Sequence, residues 1–253
     1  MSKEIKVASS GEASKSLEDR PVGSYDEYSK KFMADSDAVG YHQSHSLGSF
    51  KDLLKPSRVL GWVVAKAEEV AVRRLLRSCK GEIVLDVPCG TGKIMTALAR
   101  RGHQVVGLDT SAKMLAQIAG SEKELTELLV ADIRRIPLRD SSVDVVLCNR
   151  FLHRIDPSDH RRALNEIRRV GKQYAILYFA VKGVFANCVF RLERTLDLGN
   201  RGLTFYLTRN EIRDELETLG WTLVRATSVI PFLSTGYVVL ASPVTTWKYI
   251  QRY

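Results

Sequence analysis

The sequence has little that would place it in a membrane and little that would staple it or bind a metal. Nowhere do eighteen consecutive apolar residues occur, so no stretch has the make-up of a membrane-spanning helix. The opening MSKEIKVASSGEASKSLEDRP contains no apolar run fit for a secretion signal, and a cytoplasmic location is the default expectation. Four cysteines, Cys79, Cys89, Cys148 and Cys188, show no C-x-x-C spacing. A chain of 253 residues has no need of a disulfide framework, so they read as small, reduced packing residues. No convincing cluster of metal ligands is present, and no internal repeat or low-complexity tract appears. What remains is 45% hydrophobic and 26% charged, the composition of a globular domain able to bury a sizeable core.

The charge is unevenly spread. The net charge is +9, yet Met1 to Phe50 carries six Lys or Arg against eight Asp or Glu, so the positive excess lies in the remainder. Such a surface favours an anionic partner: a phosphate-bearing metabolite, an acidic lipid surface approached peripherally, or RNA. The arginine pairs Arg73-Arg74, Arg161-Arg162 and Arg168-Arg169 all fall on expected helices, where solvated faces are the simpler account.

Residues 1–20 mix Ser, Lys and Glu with little apolar content and are expected to form a disordered tail. Residues 21–80 read as a helical lid and cover segment, 81–242 as the main domain, and 243–253 as a C-terminal tail. Within the cover, Val59, Leu60, Val63, Val64, Ala67, Val70, Ala71 and Leu75 recur at helical spacing, predicting a long amphipathic helix over Ser57 to Ser78. Seven strands are expected at Glu82–Val87, Gln104–Asp109, Glu127–Asp132, Val143–Asn149, Tyr174–Ala180, Thr222–Ile230 and Gly236–Ser242. The first five alternate with helices, as a parallel sheet requires, and the last two should form an antiparallel hairpin. Asp156-Pro157 reads as a helix start and Gly171 as its end, with a short turn Val170 to Gln173; Thr208 and Glu211 make a capping box. After the fifth strand, residues 181–206 combine an apolar helical stripe with Lys182, Arg191, Arg194 and Arg201. They lie where an open α/β sheet meets its ligand, and read as a substrate cap with cations for an anionic group.

The most specific segment is EIVLDVPCGTGKIMTALARRGHQVVGLD, from Glu82 to Asp109: strand, glycine turn, helix, second strand and a closing acid. Gly90 and Gly92 let backbone approach a ligand where a Cβ would collide, and the layout is that of a nucleotide-binding unit. A dinucleotide fingerprint would carry a third glycine where Met95 stands. Asp86, four residues before Gly90, would repel a pyrophosphate but hold a cationic amino group. S-adenosylmethionine (SAM) carries such a group.

The segment resembles motif I (D-x-G-x-G-x-G) of class I SAM-dependent methyltransferases. VVGLDTSAKML resembles that family's second-strand motif, and ADIRRIPLRDSSVDVVLCNRFLHRI its adenine-binding acid and fourth strand. LTRNEIRDELETLGW resembles the late helix of the small-molecule branch that includes ubiquinone and menaquinone methyltransferases. The resemblance implies a Rossmann-like α/β fold: a seven-stranded, mostly parallel sheet with helices on both faces and an antiparallel last strand. It implies that Asp86 and Gly90 border the methionine portion of SAM, Asp109 the ribose hydroxyls, and Asp132 with Ile133 the adenine, with Pro88, Gly92, Thr110 and Met114 also among the cofactor-binding residues. Asn149 to His153 would face the methyl group, and Tyr25 and Tyr28 resemble lid residues of the family's Y-D-x-x-A-x-x-Y segment. Pro88 departs from the pattern by replacing the first glycine.

Methyl transfer from a sulfonium is an in-line displacement in which alignment does most of the work. His153, four residues beyond Asn149, is the candidate general base, with packing against the cofactor or cap as its structural alternative. His42, His45 and His160 are weaker candidates. The expected acceptor is a small or lipid-linked molecule, methylated at oxygen or carbon. Two alternatives stand beside it: an RNA methyltransferase, suggested by the basic region, and a non-catalytic SAM-binding scaffold. Leu147-Cys148-Asn149-Arg150-Phe151 is not the N-P-P-Y or D-P-P-Y of nucleic-acid amino methyltransferases, which disfavours base methylation.

Overall fold

Seven strands form one sheet in the order β3-β2-β1-β4-β5-β7-β6 in the computed structural model, which describes residues 56–118, 126–182, 205–230 and 235–243. The expected N-terminal tail, Tyr25, Tyr28, His42, His45, most of the substrate cap and the chain beyond Pro243 lie outside the described residues. The elements are α1 (Pro56–Leu76), β1 (Ile83–Asp86), α2 (Lys93–Ala99), β2 (Gln104–Asp109), α3 (Ala112–Ala116), β3 (Thr126–Val130) and β4 (Val143–Cys148). A 3-10 turn at Leu152–Arg154, α4 (Pro157–Val170), β5 (Gly171–Ala180), α5 (Arg209–Thr218), β6 (Trp221–Ser228) and β7 (Gly236–Pro243) complete them. Strands β1 to β5 pair in parallel, and β7 lies antiparallel between β5 and β6.

The central strands are mostly apolar because helices cover both faces. Alternation along the chain sorts the side chains. Ile83, Leu85, Val106, Leu108, Val146, Cys148, Leu177 and Phe179 pack on the face covered by α4 and α5. Val84, Val105, Val145, Leu147, Ile176 and Tyr178 pack on the opposite face against α1 and α2. With a period of two, Asp86 and Asp109, at the carboxyl ends of β1 and β2, fall on the α1 and α2 face.

Two boundaries differ from expectation. No turn separates α4 from β5: Val170 ends the helix and Gly171 already pairs with Val143 in β4, with a register shift absorbed between Val143 and Val145. A Cβ on Gly171 would lie 3.0 Å from the Ile167 carbonyl oxygen and 3.1 Å from Val146, so the glycine serves the close passage from helix to strand. β7 also runs on to Pro243, one residue past the expected domain end. The helix caps match expectation: Asp156 accepts the Ser158 and Asp159 N–H groups at 2.9 and 3.2 Å, and Thr208 and Glu211 complete a reciprocal capping box.

The glycine missing from α2 has a counterpart in β2. A Cβ at Gly107 would collide with Met95 Sδ and lie 3.0 Å from Cys89 Sγ. The strand, not the helix, gives up its side chain, and fully buried Met95 fills the space. Gly107→Ala should therefore cost about 1–3 kcal/mol of stability by overpacking. In a Met95→Ala background the same change should cost less than about 0.5 kcal/mol, because the clash is gone. Urea melts of the four-member cycle check this, and equal costs in the two backgrounds would remove Met95 as the reason for the glycine.

Candidate active site

Strand order places the site. Chain direction from β1 runs outward to β2 and β3 on one side, and from β4 to β5 on the other, leaving a crevice beyond the carboxyl ends of β1 and β4. A cavity of about 410 Å³ opens there. Asp86, Pro88, Cys89, Gly90 and Thr91 border it from the turn after β1, Lys93 and Ile94 from α2, and Asn149 and Arg150 from the end of β4. Trp62, Lys66, Glu68 and Glu69 of α1 close the remaining side.

The turn after β1 is wedged between its neighbours: the Val87 N–H donates to the Leu147 carbonyl and the Cys89 N–H to that of Leu108, both at 2.9 Å. Val87-Pro88 is a cis peptide. Gly90 (φ +56°) and Gly92 (φ +73°) both adopt the left-handed region that favours glycine, but they serve different ends. A Cβ on Gly90 would meet nothing within 4 Å, leaving open space beside the cavity, whereas one on Gly92 would press on Ile118 at 3.0 Å and Met95 at 3.2 Å. Gly92 is thus a packing glycine turned away from the cavity.

Asp86 is 2% exposed and lies within ion-pair distance of no basic group among the described residues. Burial, with the nearby Asp109 carboxylate, pushes its pKa up to about 8 against the pull of the Met95 N–H. Asp109 is raised too by burial, although the N–H groups of Ser111, Gly90 and Thr110 work in the opposite direction. Its Oδ2 accepts from Gly90 and its Oδ1 from Ser111, each at 2.9 Å, so this acid ties the glycine turn to the start of α3. The Met114 N–H donates to the Ser111 hydroxyl at 3.2 Å in the same cap.

The remaining sequence candidates are spread along the same edge of the sheet. Asp132 makes a two-pronged pair with Arg134, which also binds Asp159 of α4 at 3.1 Å through its other nitrogen. Burial opposes the Arg134 charge, but the two carboxylates outweigh it and raise its pKa. Ile133 is buried in the core. His153 is buried on the 3-10 turn, its ring 5.2 Å from that of Tyr178, which packs on the α1 and α2 face; its carbonyl accepts the Phe205 N–H at 2.8 Å. Val181 bridges Leu207 nearby, so both ends of the cap segment leave the domain beside His153. His160 packs against Phe179 on the opposite face, its pKa pushed down to about 4 by burial, and plays a structural part. The thiols of Cys89 and Cys148 are raised by burial and by Asp86, which removes them as nucleophiles.

Sequence reasoning did not find Glu68, Trp62 or Lys93 as cavity residues, and named Arg150 only within the stretch Asn149 to His153. The helical stripe of α1 revealed its inward face but not that its polar flank would wall a ligand space. Arg150 carries a signal visible in structure alone, a left-handed φ of +55°.

Comparison with known proteins agrees with this geometry. Residues 85–179 match the family described as "Methyltransferase domain". An uncharacterized methyltransferase of Mycobacterium tuberculosis is 40% identical over 87 residues, 34% of each chain. A malonyl-[acyl-carrier protein] O-methyltransferase of Pectobacterium atrosepticum is 35% identical over 106 residues, covering 42% of this chain and 41% of that one. The chain thus spans from a third to a half of the length of such curated relatives. Magnesium protoporphyrin IX methyltransferase from Synechocystis PCC 6803, solved with SAH (S-adenosylhomocysteine), superposes with a TM-score of 0.67 at 16% identity, over 86% of this chain and 99% of that one. A Burkholderia thailandensis 1,6-didemethyltoxoflavin-N1-methyltransferase gives 0.59 at 17% identity, over 88% and 92%. Residues 85–179 are thus similar to a methyltransferase domain, and the sheet around them has the Rossmann-like strand order of these solved neighbours.

The buried acid has a measurable consequence. Its folded pKa of about 8 stands above the ordinary 3.8, so the stability it contributes is present below about pH 4 and lost as pH rises through about 8. Asp86→Asn should flatten this slope and melt about 2–4 °C higher than wild type at pH 8 without ligand, with the two converging near pH 4. Thermal melts from pH 4 to 9 decide it; parallel curves would contradict the assignment.

Proposed function

We propose that this protein transfers the methyl group of SAM to a small-molecule or lipid-linked acceptor, at oxygen or carbon. The observation that carries the reading is the nearly waterless Asp86 carboxylate beside the cavity, with no basic partner among the described residues, which suits a ligand bearing a cationic amino group. The open space beside Gly90 and the cavity volume of about 410 Å³ fit the amino-acid end of such a molecule. The O-methyltransferase named among the relatives favours oxygen.

SAM supplies an activated methyl group when bound. Asp86 holds the ammonium; Asp109 serves the ribose side and keeps the Gly90 turn in place, so its two tasks are linked. Asp132 and Ile133 would hold the adenine end, and Asn149 would face the methyl group. Its Oδ1 is buried without a hydrogen-bond partner among the described residues and so remains available to a ligand. His153 accepts the proton of the acceptor hydroxyl as it attacks. The acceptor is anionic, met by the basic residues of the cap.

Asp109→Ala should weaken SAH binding at least tenfold by calorimetry, since it removes the acid proposed for the ribose and the anchor of the turn. His153→Ala should leave that affinity within about twofold and slow transfer by about 10² to 10⁴. The reaction itself is tested by incubating cell extracts with methyl-labelled SAM and identifying the labelled product. Wild-type protein that binds SAH but labels nothing would favour a sensor over an enzyme.

A further inference from the structure

The helix that walls the cavity has a second face. At about 100° per residue, Trp62, Val63, Lys66, Arg73, Arg74 and Arg77 fall within one arc of about 120°, opposite the buried Glu68, Ala71, Val72 and Leu75. The face is ordered along its length. Trp62 and Val63, 39% and 40% exposed, are two of the three large apolar side chains exposed among the described residues, and they stand together at its start. About 18 to 22 Å further along, the exposed Arg74 and Arg77 are joined by Lys80 past the helix end. Arg225 of β6 adds a fourth cation, fixed beside them by its hydrogen bond to the Ser78 hydroxyl at 3.3 Å. Glu69, at the edge of the arc, faces Lys66 at 2.9 Å and Arg73 at 3.5 Å. Arg74, Arg77, Lys80 and Arg225 have no carboxylate within ion-pair distance among the described residues.

An indole and a valine at one end and a cluster of cations at the other suit one partner chemistry, a bilayer surface with anionic headgroups. Tryptophan settles at the headgroup level, an apolar neighbour enters the acyl boundary, and each nearby lysine or arginine adds attraction to the anionic lipid. A second copy of this chain fits poorly, because a two-fold contact through this face would set cations against cations. RNA would meet the cations but leave Val63 in water. No helix among the described residues is long and apolar enough to cross a membrane, and the face is of the kind that lies on one.

Trp62 and Lys66 also border the cavity, so docking of this face brings the α1 wall of the cavity to the interface. We propose that the outer face of α1 docks on an anionic bilayer and that the methyl acceptor is a membrane-resident molecule, which enters the cavity beside Trp62. The docking stands on the surface alone. The class of acceptor rests on the SAM reading above and narrows it.

The test is sedimentation of the full chain with vesicles of phosphatidylcholine, alone or with about one third phosphatidylserine. Affinity for the anionic vesicles should exceed that for the neutral ones at least tenfold at low salt and fall steeply as salt is added. The double variant Arg74→Glu/Arg77→Glu should weaken this binding at least tenfold and Val63→Ser about threefold, with melting temperature and SAH affinity unchanged in both. Tryptophan emission should shift to the blue on vesicle binding, and the shift should be lost in Trp62→Phe. Equal affinity for both vesicle types, no vesicle binding, or undiminished binding by the double variant would overturn the docking. Binding to a homopolymeric RNA but not to vesicles, or a dimer dissociated by the same substitutions, would overturn it in favour of those partners. With methyl-labelled SAM and a cell extract, the label should partition into the solvent-extracted lipid, and label confined to the aqueous fraction would overturn the class of acceptor. Vesicle binding by a protein that binds no SAH would instead bring down the SAM reading and leave the docking in place.

Discussion

The site depends on an electrostatic imbalance held in place by the sheet. Asp86 ends the central strand where water hardly reaches, and Asp109 ends the next strand on the same face. Burying a carboxylate without a cation costs several kcal/mol, and a protein with no use for the charge would replace it or pair it. Among the described residues it is neither replaced nor paired, and the cost appears as a proton held up to about pH 8. A cation entering the cavity would restore the carboxylate to its ionised form, so ligand binding and proton release are two readings of the same interaction.

The fold is arranged to keep those acids where they are. β1 is flanked on both sides by parallel strands, and the chain leaving it is gripped by carbonyls of β2 and β4 before it turns at Gly90. Asp109 then reaches across to hold that turn by its N–H. The second acid thus supports the geometry of the first as well as raising its proton affinity. The Met95–Gly107 exchange belongs to the same arrangement, since it lets α2 approach β2 closely without the helix glycine that a dinucleotide site would need. Close approach of helix to strand is the physical requirement, and either partner can give up its side chain to meet it.

Most of the sheet was legible because buried parallel strands are written as short apolar runs bounded by turn residues, and six of the seven observed strands begin within a residue of where those runs start. The exception is β5, where Gly171 looked like a helix terminator. A glycine that ends a helix and one that permits helix and strand to meet without a turn are the same letter, and the difference lies in what surrounds the missing Cβ. The acids of the site were legible through their spacing from the glycines. The α1 wall was not, because Glu68 and Glu69 are ordinary polar residues on an amphipathic helix until packing decides which way that flank faces. Gly92 was given the same role as Gly90, and its contact with Ile118 could be seen only once α3 was in place.

The positive charge shows why composition is a poor guide to partners when it is not localised. Arg169 was read as part of a solvated helix face, yet it holds the Ile136 and Leu138 carbonyls at 2.7 and 2.8 Å together with Glu166 and Asp140. Its neighbour Arg168 lies over the Trp221 ring at 5.4 Å, and Arg73 stands 3.5 Å from Glu69. Arg134 bridges two acids and joins the loop after β3 to the first turn of α4. A net charge counts every arginine alike, but a guanidinium already facing a carboxylate adds little to the field that a polyanion would feel. One member of each of the Arg73-Arg74 and Arg168-Arg169 pairs is therefore committed to an acid of this chain, which weakens the electrostatic argument that composition makes for an extended anionic partner.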